Sequence, residues 1–149
     1  MKSRILVFLF AIAILNFAAL AAQSLGSITS LKGRVSIQSG SDSARPASAK
    51  QEVKEGDYVT TQSDGEAVIT LSTGTVMKVG PDTRMKINKS TVKSGDGNQF
   101  SVGLTKGSLS AKVSKLKTAS DSFNVYTPTS VAGVRGTDFS VAAGVDGST

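Results

Sequence analysis

Beyond residue 22, apolar side chains return at every second position in short runs and hold no helical face. The runs are Val35 and Ile37; Ala67, Ile69 and Leu71; Met77 and Val79; Met85 and Ile87; Phe100, Val102 and Leu104; Leu109, Ala111 and Val113; Phe123 and Val125; Phe139 and Val141. A strand turns successive side chains to opposite faces, so this alternation predicts strands with one face in a core. Turn signals separate the runs: Glu55-Gly56-Asp57, Ser63-Asp64-Gly65, Thr73-Gly74, Gly80-Pro81-Asp82, Gly95-Asp96-Gly97, Lys106-Gly107 and Asp146-Gly147. Their recurrence at roughly ten-residue intervals describes an all-β chain of many short strands.

Gln38 to Lys50, QSGSDSARPASAK, is polar and aperiodic and is read as a mobile loop. Gly33-Arg34-Val35-Ser36-Ile37 is echoed by Gly107-Ser108-Leu109-Ser110-Ala111, in each case a glycine followed by an alternating strand. The echo points to stacked coils of a small β-solenoid or roll.

The chain has neither cysteine nor histidine. Disulfides, cysteine or histidine metal sites, thiol nucleophiles and Ser-His-Asp machinery are thereby excluded. The carboxylates most exposed to a catalytic reading, Asp57, Asp64, Asp82 and Asp138, each adjoin Gly, Ser, Pro or Thr, where a turn-forming Asp is expected. The expectation is therefore a protein that is not an enzyme, with no cofactor and no metal. Dispersed basic residues, two Tyr and no Trp argue against nucleic acid as a partner.

Residues 1–22, MKSRILVFLFAIAILNFAALAA, join a short basic head to an apolar run and a small-residue end. These are the three parts of a secretory signal, expected to form a helix over 1–21. Ala19-Leu20-Ala21 fits the cleavage pattern, so the exported domain is expected to span 22–149, beginning at Ala22 or Gln23. Loss of Lys2 and Arg4 with the leader lowers the formal charge from +6 to +4. The alternative is an uncleaved anchor, which would be the chain's one link to a membrane.

Thr127 to Val141, TPTSVAGVRGTDFSV, sets Gly133, Arg135 and Gly136 between two apolar runs. GxxG loops that clamp phosphates lie between helices, whereas this one lies between strands. It is read as a corner: Pro128 ends a strand, the glycines permit unusual backbone angles, Thr137 can bond the turn, and Phe139 and Val141 resume a buried face.

With Gly33-Arg34-Val35, Val53 to Thr61, Ala67 to Thr75, Val79-Gly80-Pro81-Asp82-Thr83, Leu104 to Leu109 and Phe123 to Pro128, that corner resembles the FecR domain. The resemblance covers roughly residues 25 to 141 in order. It implies a twin-β-helix-like all-β domain on the outer side of the inner membrane, in the periplasm or envelope of a Gram-negative-type bacterium. Gly33, Gly56, Asp57, Gly74, Pro81, Gly107, Pro128, Arg135, Gly136, Thr137 and Phe139 are its signature positions here, with structural roles expected. In the iron-uptake members a cytoplasmic segment binds a sigma factor and a further C-terminal domain meets a transporter. Only four residues precede the apolar run here, too few for such a cytoplasmic segment, and Val145 to Thr149 stop on a turn signal with no returning strand, so the expectation is either a fragment whose last strands are missing or a strand edge that stands open for a partner.

These readings make the chain an interaction module for sensing or scaffolding that binds another envelope protein, with Arg135 and Val141 as candidate contacts. A second reading is a passive structural protein that holds peptidoglycan or another anionic polymer through Lys112, Lys115 and Lys117.

Overall fold

The computed structural model describes residues 23–88, 90–93, 97–113, 121–134 and 138–144. Within them the chain forms thirteen strands and no helix: β1 (Ser24–Lys32), β2 (Val35–Ser39), β3 (Arg45–Pro46), β4 (Glu52–Lys54), β5 (Asp57–Thr61), β6 (Glu66–Leu71), β7 (Val76–Val79), β8 (Arg84–Ile87), β9 (Thr91–Lys93), β10 (Gly97–Lys112), β11 (Ser122–Tyr126), β12 (Val131–Val134) and β13 (Asp138–Ala143). The expected leader over 1–21 lies outside the described residues.

The strands make one sheet of two leaves. The first leaf runs β4-β1-β6-β7-β10-β13. The second runs β3-β2-β5-β8-β10-β11-β12, with β9 beside the start of β10. The chain passes from leaf to leaf at short corners, and β10 belongs to both: it pairs with β8 up to Lys106 and with β7 from Leu109. Lys106-Gly107 is thus not a turn between two strands but a bend inside one. A register shift between Leu104 and Lys106 and a left-handed Gly107 (φ 93°) redirect the strand there.

The all-β expectation is met. Among the described strands only β10 and β11 pair in parallel, so the stacking of like strands that defines a parallel solenoid occurs in one place. Gln38 to Lys50 corrects the sequence reading. Arg45–Pro46 pairs with β2, the Ala47 amide donates to the Val35 carbonyl at 2.9 Å, and the Lys50 amide donates to the Ile28 carbonyl at 2.7 Å. Without apolar alternation this segment is held by backbone hydrogen bonds and by Ala47, which packs on the core.

The inward positions of both leaves share one core. Ile28, Ile37, Val59, Ile69, Met77, Met85, Ile87, Leu104, Leu109 and Phe123 are all but inaccessible to solvent. Each such side chain contributes about 1.5–3 kcal/mol relative to exposure. The strands β1, β4 and β5 went unread in the apolar runs because none carries an unbroken period-two apolar set: in β1 the buried Leu25 and Ile28 stand three apart, β4 buries Val53 alone, and β5 mixes polar with apolar inward positions. In β5 the buried positions are Asp57, Val59 and Thr61.

Four corners align along one rim. The Gln62 amide donates to the Arg34 carbonyl at 3.0 Å, the Asp82 amide to the Gln62 carbonyl at 3.1 Å, and the Gly80 amide to the Ser108 carbonyl at 2.9 Å. The bends β1–β2, β5–β6 and β7–β8 and the Gly107 bend in β10 therefore form a continuous hydrogen-bonded stack.

Candidate functional site

Glycine occupies the rim because backbone passes too close for any other residue. A Cβ on Gly33 (φ 63°) would lie 1.8 Å from the Asp64 carbonyl oxygen, and one on Gly107 would lie 2.4 Å from Thr83 Cα. Two buried threonines bind this rim from within. The Thr61 hydroxyl donates to the Gly80 carbonyl at 2.7 Å and accepts from the Thr83 amide at 2.9 Å. The Thr83 hydroxyl donates to the Pro81 carbonyl and accepts from the Ser108 amide, both at 3.0 Å. Sequence reasoning missed Thr61, Thr83 and Ser108, although Thr61 continues the inward period of Asp57 and Val59.

Gly56, Asp57, Gly74, Pro81 and Pro128 also serve turns. Asp57 is buried, and its Oδ2 accepts from the Lys54 amide at 2.8 Å, closing the corner whose Gly56 is left-handed. Gly74 (φ 86°) completes the β6–β7 hairpin, where its amide donates to the Leu71 carbonyl at 2.9 Å. Pro81 precedes the left-handed Asp82 (φ 48°). Pro128 lies in the β11–β12 turn, closed by the Thr127 amide donating to the Ser130 carbonyl at 2.8 Å.

Arg135, Gly136 and Thr137 lie outside the described residues, as do Lys115 and Lys117. The flanking strands β12 and β13 belong to different leaves. Beyond them Phe139 is half-buried and packs on Phe123, with ring centroids 5.7 Å apart. Val141, also half-buried, stands opposite Leu109.

The candidate site is the edge of β13. Its one strand partner among the described residues is β10, so its other side carries backbone N–H and C=O groups with no sheet partner there. Across β7, β10 and β13, on the paired side of this strand, an open groove of about 480 Å³ is lined by Val76, Lys78, Ser110, Lys112, Asp138 and Phe139. Its walls are fixed by a 2.7 Å hydrogen bond between the Ser110 and Ser140 hydroxyls and by an exposed Lys112–Asp138 pair at 3.8 Å. Val141 belongs to this edge strand.

The four carboxylates do not form a catalytic group. Asp57 caps its corner, Asp82 sits exposed in the β7–β8 bend, Asp138 pairs with Lys112, and Asp64 pairs with Arg34 at 3.2 Å. Burial pushes the Asp64 carboxyl up. Hydrogen bonds from its own amide and from Arg34, with that guanidinium's charge, more than offset this and hold it below its ordinary value. No cluster of three carboxylates able to hold a metal occurs among the described residues.

No curated protein matches the chain. A solved structure described as a cell surface anchoring domain is similar over 42% of this chain and 82% of its own length, at 29% identity and a TM-score of 0.40. The family model described as FecR protein matches residues 57–149, which take in the rim from Gln62 through Gly107 and the whole of β10 to β13. With the Gly65, Gly74, Gly80 and Gly107 bends and the edge strand inside the match, the chain belongs to the FecR family.

Proposed function

We propose that the protein is a non-catalytic FecR module of the bacterial envelope that captures another envelope protein by adding a strand to β13, in a sensing or scaffolding role. The observation that carries this reading is the strand partner on only one side of β13 among the described residues. Main-chain hydrogen bonds supply affinity in such augmentation, and alternate side chains select the partner. Membership of the FecR family supports the envelope setting. The basic, apolar and small-residue segments of 1–22 support export, with cleavage before Ala22 or Gln23 and a mature domain over 22–149. The aligned corners of the rim support a roll of successive coils as the domain's architecture. Arg135, between the two leaves in sequence, remains the second proposed contact.

The test is capture of envelope proteins by the exported chain, wild type against Val141→Pro and Ala142→Pro. Successive amides of a strand point to opposite sides, so one of the two prolines removes a donor from the free edge and the other removes one facing β10. Capture lost in the variant that still melts like wild type supports the edge. Capture retained in that variant overturns it.

The polymer-binding reading through Lys112, Lys115 and Lys117 is weakened at Lys112, whose ammonium already faces Asp138.

A further inference from the structure

The outward face of the second leaf brings together residues that neither the glycine corners nor the β13 edge uses. Tyr58 on β5 stands opposite Lys86 on β8, Lys86 opposite Gly103 on β10, and Gly103 opposite Tyr126 on β11. At the usual strand spacing this row spans about 14 Å. Gly103 leaves a shallow trough in its middle. A Cβ there would meet nothing nearer than the Asn88 side chain at 3.4 Å, and its backbone is not left-handed. Tyr126 forms one wall. It is 45% exposed and stands opposite Val131, which is 62% exposed, and these are the exposed large hydrophobic residues among the described ones.

The face is also cationic. Arg84 is directly opposite Lys106, and Lys86 lies two residues along the same strand. Like charges in direct opposition destabilise a sheet. Within the described residues none of the three forms an ion pair. The Arg84 guanidinium and the Lys86 ammonium instead hold to the Tyr58 ring, at 5.3 and 5.1 Å from its centre. The outward strand positions of this leaf carry no acid. Of the acids near these strands among the described residues, Asp57 and Asp121 are buried, and Glu55 and Asp82 belong to corners.

We propose that this face binds a strand of acidic polysaccharide, with its carboxylates on Arg84, Lys86 and Lys106 and a sugar ring over Gly103 against Tyr126. Charge complementarity selects an anionic occupant. The backbone of these strands is already paired within the sheet, which disfavours peptide added as a strand. A single-stranded nucleic acid needs successive aromatic rings for its bases, and the Tyr58 ring is already covered by two cations. The anionic-polymer class is that of the second reading above, but the residues and the surface differ. The proposal stands whether or not β13 captures a strand.

The experiment is calorimetric titration of the exported chain at low ionic strength with polygalacturonate, and in parallel with dextran, polyglutamate and an oligo-dT strand. Polygalacturonate is expected to bind, to weaken as salt rises, and to exceed each of the other three by at least about tenfold. Tyr126→Ala and Gly103→Leu, both at outward strand positions, are expected to keep the wild-type melting profile and to lose about tenfold in affinity. Lys106→Gln is expected to weaken binding while raising the melting temperature, since it relieves the opposition to Arg84. Equal binding of polyglutamate with no effect of Gly103→Leu would reduce the face to bare charge and overturn the proposal. So would tightest binding of oligo-dT, or no binding of polygalacturonate.

Discussion

Gly107 and Gly56 are both left-handed, yet they face different surroundings. Nothing lies within 4 Å of a Cβ on Gly56, whereas one on Gly107 would strike Thr83 side chain and backbone. Gly56→Ala therefore costs only backbone strain, about 1–2 kcal/mol, while Gly107→Ala must also displace the β7–β8 corner and is expected to cost more than about 3 kcal/mol. Chemical denaturation of the two variants checks the order. Thr83 supplies a second prediction at this scale. Its hydroxyl, on a fully buried residue, accepts from the Ser108 amide and donates to the Pro81 carbonyl, so Thr83→Val leaves that amide and that carbonyl without this partner. A loss of about 2–4 kcal/mol is expected, against less than about 1.5 kcal/mol for the exposed Thr105→Val.

At the scale of elements, β10 and β13 decide what the domain offers to a partner. β10 crosses from one leaf to the other and supplies the pairing surface on which β13 lies. The proline pair at Val141 and Ala142 is expected to separate two roles of one strand. The substitution facing β10 lowers the melting temperature because it breaks a ladder bond, and the substitution facing outward leaves it unchanged. Comparison of the two melting curves assigns the direction before any capture is measured. The apolar alternation of Phe100 to Leu104 and Leu109 to Val113 was legible in the sequence. Their fusion into one strand was not, because a glycine in a strand pattern signals equally a turn, a bulge or a bend.

For the whole molecule, both leaves bury their inward residues in a single core cluster, and β10 is common to both. Neither leaf has an apolar face to bury without the other. Unfolding over the described domain is thus expected as one cooperative transition, with tyrosine fluorescence and far-UV circular dichroism coincident in urea. Tyr58 and Tyr126 both report from the second leaf, so an earlier fluorescence transition would mean that this leaf opens on its own.

The sequence by itself determined the all-β class, most of the inward residues, the glycine corners and the family. These are local: a period-two pattern and a left-handed glycine are written within a few neighbouring positions. Tertiary structure alone decided that the corners stack into one rim, that Gln38 to Lys50 is ordered by backbone bonds, and that β13 is paired on one side among the described residues. It also brought Tyr58, Arg84, Lys86, Lys106 and Tyr126, read as dispersed, onto one face. Each of those outcomes depends on register between strands distant in the chain, and a shift of one residue would turn every one of these side chains to the other side of the sheet.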